Sequence, residues 1–477
     1  MSIIAHMFKR LALLCTAISL TIIAAIAIAQ EQPLPTLGDR ESSVLSPHEE
    51  RILGQQFLME LRRSVRTVRD PILKYFVRTN MLELAEHSDL TQTELYPVII
   101  DAKELNAFAA PGGIIGINLG LFRFAEDVHE YSSVVAHELA HLSQRHFARR
   151  IDQQRQLTVA QLFGFLTSAA VLASGATDAG LAGLLGTQSM VEAETLKYSR
   201  QQEREADRIG FNALTKAGYD PYGASRMFER LGTQDDALEF LRTHPVSQKR
   251  VADLSAQALE LPEGEFESSD EYQLMRVRAL QRFIETTTSS VRNPESITGE
   301  KLADWYERAL VLHQRGDFED AIEEMRKVVK QMPTSLLAIS CFAELLTMSE
   351  KVDLAITVLE HALADTPDNA PLSMIYARAL KAAERYTEAT SVLQKQARIH
   401  SDDTDVWFEL AETAGLADKI VEVHRARAEY YALRGEFNRA ISQLNLAKKA
   451  SDGASFRLEA SLDQRILELR ERAEQGA

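Results

Sequence analysis

Two histidines and a glutamate in VVAHELAHLSQRH, residues 134–146, have the spacing of a metal site. His137 and His141 are four residues apart, and Glu138 directly follows the first histidine. Because four residues advance a helix by about 400°, both imidazoles would project from one face, one turn apart. That spacing lets both rings reach one Zn²⁺ at about 2.0–2.1 Å, with Glu138 beside them to act on a water. The alternative is the polar face of an ordinary helix.

A third histidine follows in the same stretch. His146 lies nine residues after His137, which is about 900° around a continuous helix and therefore on its opposite face. We do not expect His146 to bind the same metal. The longer metzincin signature is also absent, because Gln144 and Phe147 stand where it requires glycine and histidine.

A second segment, YSRQQEREADRIG, residues 198–210, offers further ligands. A catalytic zinc site takes three protein ligands and leaves one position open. Glu203 and Asp207 are four residues apart and would share one helix face. One of them could bind the metal while the other hydrogen-bonds a ligand histidine. The alternative for this acidic pair is solvent-exposed salt bridging with the neighbouring arginines.

Both segments belong to a stretch, residues 46–262, with the pattern of one mixed α/β unit. Its β-rich runs, YPVIIDA and GGIIGINLG, flank NAFAAPGG, the best hairpin candidate in the chain. The segments that carry the histidines and the acidic pair have helical patterns. β-signals end after the turn-rich acidic stretch LELPEGEFESSD. The predicted fold class is α+β and mostly helical.

The C-terminal part of the chain repeats. Ala321, Ala355 and Ala389 occupy equivalent positions in three gapless segments, and they are spaced 34 residues apart. This period, with small residues where paired helices touch, resembles the tetratricopeptide (TPR) repeat and predicts an all-α solenoid. Ala440, in the similar segment RGEFNRAISQL, follows 51 residues after Ala389. We therefore expect an extra helix or a loss of register near residues 415–420.

The first residues and the overall charge limit where the protein works. Lys9 and Arg10 precede an apolar run that ends in Ala-Ile-Ala, which predicts a signal peptide cut after Ala29. The alternative is an uncleaved N-terminal anchor. Cys15 would leave with the signal, so Cys341 would be the only remaining thiol and no internal disulfide is expected. A net charge of −16 disfavours nucleic acid as a partner.

NAFAAPGG, HELAH and QEREAD, in this order and at these separations, resemble the zinc metallopeptidase family of HtpX and the CAAX prenyl proteases. The resemblance implies a zincin-like metallopeptidase domain and a zinc metalloendopeptidase of the HExxH, gluzincin type, with one Zn²⁺ per chain. It implies that His137, His141 and Glu203 bind the metal, so that Glu203 rather than Glu205 is the third ligand. Glu138 would be the catalytic residue. Asp207 would hydrogen-bond a ligand histidine.

The resemblance extends to members of this family that carry a signal peptide and TPR repeats. These members have a Thr-His-Pro motif followed by an arginine, matched here by THPVSQKR. It implies that His244 can occupy the fourth position on zinc and hold the enzyme inactive. The alternative is a histidine that caps a turn ahead of Pro245. The apolar stretch at residues 157–186 would cover the active site as a buried or lid helix with a glycine-rich hinge, and the alternative is a segment that touches a membrane.

The same resemblance implies a periplasmic endopeptidase with a chaperone-like role in the assembly and quality control of outer-membrane proteins. It would degrade misfolded or stalled clients, and the TPR domain would contact these clients and their assembly machinery. Substrate would add as a strand beside GGIIGIN, contacting Gly112, Gly113, Ile114 and Ile115. The alternative is mainly a TPR-based binding or chaperone module with rare, gated proteolysis.

Together these patterns predict four segments in the chain. They are a signal peptide at 1–29, a zinc metallopeptidase domain at 30–262, a helical connector at 263–300 and a TPR repeat domain at 301–477. No stable transmembrane anchor is expected after signal cleavage.

Overall fold

The computed structural model describes most of the chain that follows the predicted signal peptide. The described residues are 45–91, 94–153, 198–231, 240, 244–262, 264–283, 293–451 and 455–475. The predicted signal peptide at 1–29 and the predicted lid at 157–186 lie outside these ranges. Across the described residues, every helix is too short or too polar to span a bilayer.

Two helices precede the sheet: α1 (Pro47–Ser64) and α2 (Pro71–Glu86). The start of α2 is set by Asp70, whose side chain accepts hydrogen bonds from the backbone N–H groups of Ile72 and Leu73. Pro71 stands in the first helical turn, where a missing N–H has no cost.

A three-stranded sheet lies at the centre of the predicted α/β unit. Its strands are β1 (Tyr96–Ile100), β2 (Ala107–Ala110) and β3 (Ile114–Asn118), in the order β1-β3-β2. β3 runs parallel to β1 and antiparallel to β2, so it is the central strand and is fully buried. Gly112 and Gly113 make the turn between β2 and β3. Their φ values of 76° and 81° are ones that other residues rarely adopt.

Helices follow the sheet without further strands among the described residues. They are α3 (Gly120–Phe124), α4 (Val128–Ser143), α5 (His146–Gln153), α6 (Arg200–Lys216), α7 (Gly223–Leu231), α8 (Gln248–Leu259) and α9 (Asp270–Gln281).

The two helices that carry the sequence motifs, α4 and α6, pack directly on each other. Gly210 of α6 makes this possible, because a Cβ there would lie only 3.0 Å from the carbonyl oxygen of Ala136 in α4. Almost every residue of α4 is buried, including its polar ones. The motif side chains therefore meet inside the core rather than on an exposed helix face.

The expected position of His146 is wrong, because the helix does not continue to it. α4 ends at Ser143, Arg145 adopts a left-handed φ of 48°, and α5 starts at His146. The rotation of 100° per residue stops at such a turn. His146 consequently folds back toward α4 and lies fully buried beside His141.

The C-terminal part is a solenoid of paired helices. These are α10 (Leu302–Arg315), α11 (Phe318–Gln331), α12 (Leu336–Met348), α13 (Val352–Asp365), α14 (Ala370–Ala382), α15 (Tyr386–Ile399), α16 (Thr404–Leu416), α17 (Ile420–Leu433), α18 (Phe437–Ser451) and α19 (Phe456–Gln475). A short 3₁₀ helix, Pro294–Ser296, precedes them.

The 34-residue period is regular in the turns within each pair. Gly316, Glu350, Glu384 and Asp418, spaced 34 residues apart, all have left-handed φ values between 55° and 87°. The same left-handed turn then recurs at Gly435, with a φ of 70°, only half a period after Asp418. One extra helix, α17, therefore lies between α16 and α18, as expected near residues 415–420. RGEFNRAISQL starts α18 after this turn, just as the earlier segments start second helices.

One apolar cluster joins the α/β unit to the repeats. Its buried residues extend along the chain from Val68 to Ala389, and so include α2, the sheet, α4 and the helices up to α15. Polar contacts add to it: Lys74 of α2 pairs with Asp403 at 2.6 Å and with Asp405 at 2.9 Å, at the start of α16. The predicted fold class, α+β and mostly helical, is confirmed.

Candidate metal centre

His137 and His141 lie one turn apart on α4, with their side chains buried in the core. Their Nε2 atoms are 3.0 Å apart. Glu203, from the first turn of α6, reaches both rings: its Oε1 is 3.5 Å from Nε2 of His141, and its Oε2 is 3.6 Å from Nε2 of His137. The three predicted ligands therefore converge on one point.

His244 joins these three residues from the segment before α8. Its Nδ1 lies 3.1 Å from Oε1 of Glu203 and 3.4 Å from Nε2 of His137. The ring is fully buried and stacks on Phe240, with centroids 4.9 Å apart. One ligand atom from each of the four residues lies within 4.8 Å of the others.

This donor set fits a metal ion. Ligands bound tetrahedrally at about 2.0–2.1 Å from zinc lie about 3.3 Å from one another, and the measured separations of 3.0 to 3.6 Å bracket that value. Burial also requires a partner. Nε2 of His244 and Oε1 of Glu138 are buried 3.4 Å apart without a hydrogen bond between them in the described structure, and buried polar groups usually have a partner.

The two buried glutamates at the centre differ in the direction of their pKa shifts. Burial raises the pKa of Glu138, although His244, His137 and the backbone N–H of Ala109 act against that shift. Burial acts on Glu203 in the same direction, but His244 and His137 outweigh it and hold its pKa well below the ordinary value. Glu203 is thus kept as a carboxylate, the form that binds metal.

The histidines also differ. Burial lowers the pKa of His141 well below the ordinary value, which leaves a neutral ring suited to a metal. Burial would lower the pKa of His137 too, but hydrogen bonds to Asp207 and Glu203 raise it to about 9. With a positive metal ion in place of that proton, the same carboxylates would hold the ring.

Asp207 lies behind His137, with Oδ1 at 3.2 Å from Nδ1. Arg250 of α8 fixes this carboxylate with two hydrogen bonds of 2.7 and 2.6 Å. The same guanidinium contacts Oε2 of Glu203 at 2.7 Å and donates to the carbonyl oxygen of Pro245 at 2.8 Å. Arg250 is the arginine that follows the Thr-His-Pro motif, and the resemblance implied no role for it.

The predicted substrate-binding residues are not at a free edge. Gly112 and Gly113 form a turn, and Ile114 and Ile115 lie in β3, which is paired on both sides. The expected addition of a strand beside GGIIGIN is therefore wrong, because no backbone group of β3 is left to pair with it. The edge strand next to α4 is β2.

The alternation of β2 determines which of its groups face outward. The N–H of Asn118 donates to the carbonyl of Asn106 at 2.9 Å, so residues 106, 108 and 110 pair with β3. Ala107 and Ala109 consequently direct their backbone groups to the other side. That side faces the centre, since the N–H of Ala109 lies against Glu138.

Two family models match the chain. Residues 74–258 match Peptidase family M48, and this range contains every side chain of the centre. Residues 312–379 and 346–410 match a tetratricopeptide repeat model.

Curated relatives cover nearly the whole chain. It is 29% identical to the Beta-barrel assembly-enhancing protease of Escherichia coli (strain K12), over 94% of this chain and 96% of that protein. It is 28% identical to the putative Beta-barrel assembly-enhancing protease of Vibrio cholerae, over 97% and 98%. A shorter match, 34% identical over 31% of this chain and 41% of the relative, is to the Mitochondrial metalloendopeptidase OMA1 of Schizosaccharomyces pombe.

Proposed function

The chain carries an M48 peptidase domain followed by tetratricopeptide repeats, and we propose that it is a periplasmic zinc-dependent endopeptidase of outer-membrane protein assembly. The observation that carries the proposal is the convergence of four buried ligand atoms beside the buried carboxylate of Glu138. The similarity to beta-barrel assembly-enhancing proteases over 94% of the chain supports the biological setting.

One zinc ion per chain would be held by His137, His141 and Glu203. When bound, zinc lowers the pKa of a water and polarises the scissile carbonyl. Asp207 faces Nδ1 of His137 at 3.2 Å and would accept its proton, so that Nε2 of this ring would carry the lone pair. Arg250 keeps Asp207 in place.

Glu138 is the proposed general base. It follows His137 on α4 and lies beside the ligand atoms, with Oε1 at 3.4 Å from Nε2 of His244, so it becomes available to the attacking water when His244 moves away. It takes the proton from this water and passes it to the leaving amine. Its raised pKa suits a group that must both accept and return a proton.

Substrate would bind in extended form along β2. The outward-facing groups of Ala107 and Ala109 offer main-chain hydrogen bonds to an added strand. Because the Ala109 amide lies against Glu138, a strand on this edge would bring its backbone to the base. Main-chain recognition of this kind accepts many sequences, which suits a protease of unfolded clients.

His244 is the proposed gate. A neutral imidazole is a good fourth ligand for zinc, and a ring held there would deny water that position. Its burial, its stacking on Phe240 and its distances to Glu203 and His137 support a closed resting state. Proteolysis would then require the segment around Pro245 to move.

The repeats are proposed to recruit misfolded or stalled outer-membrane proteins and their assembly machinery. We retain the proposed organisation of signal peptide, peptidase domain, connector and repeats at 1–29, 30–262, 263–300 and 301–477. The closed position of His244 also favours a second function, in which the protein acts mainly as a TPR-based chaperone and cleaves rarely.

The decisive experiment compares the mature protein with a Glu138→Gln variant on casein and on an unfolded outer-membrane protein, with and without a chelator. We expect the variant to keep its zinc and to lose turnover by at least about 100-fold, the usual contribution of a general base. Glu104→Gln, an exposed position in the same domain, is the control. Cleavage that survives both the variant and the chelator would contradict a zinc peptidase.

A further inference from the structure

His141 has a partner on the side of its ring that faces away from the metal centre. Its Nδ1 lies 2.9 Å from Nδ1 of His146, and both side chains are fully buried. Nε2 of His146 lies 3.2 Å from Oε2 of Glu205, and Arg149 contacts the same oxygen at 3.1 Å. The four side chains form one continuous hydrogen-bonded row.

The proton positions along this row follow from the chemistry of imidazole. A neutral ring carries one N–H and one lone pair. If Nε2 of His141 gives its lone pair to a metal, its proton must be on Nδ1, and Nδ1 of His146 must accept it. The proton of His146 is then on Nε2, where the carboxylate of Glu205 accepts it. Each donor meets an acceptor, so the row is consistent from end to end.

The fold holds His146 in this position. The left-handed turn at Arg145 folds the chain back, and the side chain of Gln202 in α6 donates to the backbone carbonyl of His146 at 3.2 Å. Glu205 follows on the same helix, on a face different from that of Glu203. α6 therefore contributes to both sides of His141, one through a metal ligand and the other through Glu205.

We propose that His146 and Glu205 are positioning residues for the metal, which fix the tautomer and orientation of His141. The inference rests on the proposed function, since it needs a metal on Nε2 of His141. This arrangement would support both histidine ligands in the same way. Nδ1 of His137 faces Asp207, which Arg250 holds. Nδ1 of His141 faces His146, which Glu205 and Arg149 hold in turn.

The test measures zinc affinity by competition with a chromogenic chelator in the full chain, together with the visible spectrum of the Co²⁺ form. His146→Leu removes the acceptor and keeps the apolar bulk. We expect affinity to fall about 10- to 100-fold, the usual effect of losing such a partner, and the Co²⁺ spectrum to change. His146→Asn keeps an acceptor oxygen near the position of Nδ1 and should restore most of the affinity.

A matched control separates positioning from stability. His129, near the start of α4, is also buried, and it bonds to backbone atoms of Glu267 and Asp220 away from the centre. His129→Leu should lower the melting temperature of the metal-free protein as His146→Leu does, without changing zinc affinity. Glu205→Gln should retain zinc with a smaller loss of affinity than His146→Leu.

The outcomes distinguish the two proposals. If the unmodified protein binds no zinc, the proposed function fails. If it binds zinc and His146→Leu binds zinc equally well, with the same Co²⁺ spectrum, the inference about His146 is overturned and the proposed function stands. A loss of affinity that His146→Asn does not restore would also overturn it, because the role would then be one of packing.

Discussion

At the scale of single residues, the environment assigns different chemistry to side chains of the same type. Glu138 lies on α4, and Glu203 and Glu205 lie two residues apart on α6, yet each faces different neighbours. Glu138 has a pKa raised by burial, Glu203 is held ionised by histidines, and Glu205 lies outside the centre against His146. Glu138 is thus proposed as the base, Glu203 as a metal ligand and Glu205 as a positioning residue. Mutation of each should therefore change activity and zinc binding differently.

Substitution of the two glutamates of α6 tests this separation. We expect Glu203→Gln to abolish stoichiometric zinc binding, because the amide lacks the charge that a zinc ligand supplies. Glu205→Gln should still bind one zinc per chain, though more weakly. Metal content after dialysis, measured by inductively coupled plasma mass spectrometry, checks both. Zinc retained by Glu203→Gln and lost by Glu205→Gln would reverse the assignment.

His244 can be tested as a gate in the same way. His244→Ala should keep one zinc per chain, because His137, His141 and Glu203 remain, and it should raise basal proteolysis by opening the fourth position. Initial rates on a fluorogenic peptide measure the change. A Phe240→Leu variant, which weakens the stacking but keeps the imidazole, should raise the rate by less. If His244→Ala keeps its zinc content but cleaves the peptide more slowly, His244 is not purely inhibitory.

At the scale of elements, turns decide where the motifs meet. The turn at Arg145 brings His146 back to His141, and the turn at Gly112 and Gly113 makes β2 the edge strand beside Glu138. In the repeats, the turn within each pair uses a left-handed residue every 34 positions. Only one of these four positions, Gly316, is a glycine, so the other three carry a conformational cost.

Replacing such a residue by glycine should stabilise the repeats. Glu384 has a φ of 59°, which costs an L-residue about 1–2 kcal/mol. Glycine opposes this gain by about 0.4–1 kcal/mol, because it raises the conformational entropy of the unfolded chain. Glu384→Gly should therefore raise the free energy of unfolding by about 0.5 kcal/mol. Thermal unfolding followed by circular dichroism measures the shift. Ser391→Gly, exposed within α15, should lower the melting temperature. Equal effects of the two substitutions would refute the argument.

At the scale of the whole molecule, the solenoid and the peptidase domain stabilise each other. Their apolar residues form one cluster, and Lys74 pairs with Asp403 and Asp405 at the first turn of α16. Burial alone would raise the pKa of Asp403, but the ammonium of Lys74 outweighs it and lowers that pKa. Segments far apart in sequence thus depend on one another for stability.

The pair makes stability depend on pH in a defined direction. A carboxyl whose folded-state pKa is depressed adds stability above its unfolded pKa, about 3.9 for Asp, and loses it as pH falls through the folded value. Asp403→Asn keeps the cap on α16 and removes the charge. At pH 7 it should cost about 1–2 kcal/mol, since 26% of the side chain is exposed and solvent screens the pair.

This cost should shrink as the pH falls below about 4, because the unfolded chain then binds a proton at Asp403 while Lys74 keeps the folded-state pKa lower. Urea unfolding of both proteins at pH 7 and pH 3 measures the difference. If the difference in free energy of unfolding between the two proteins is the same at pH 7 and pH 3, the charge of Asp403 contributes nothing to stability.

Patterns along the chain were enough to predict the local chemistry and the repeat. HELAH places two imidazoles on one face because helical geometry depends only on spacing along the chain. The 34-residue period predicted the solenoid for the same reason, since each pair packs mainly on its neighbours. The β-rich runs and most helices were likewise predicted, because alternation and periodicity are local properties.

Tertiary structure alone decided how these elements meet. The strand order put β3 rather than β2 in the middle, and pairing between strands depends on contacts that no local pattern records. The approach of Arg250 to Asp207, 43 residues away in sequence, and of His146 to Glu205, 59 residues away, requires packing of α5, α6 and α8. A sequence pattern lists donors and acceptors, but only the packed fold selects which of them share a buried space.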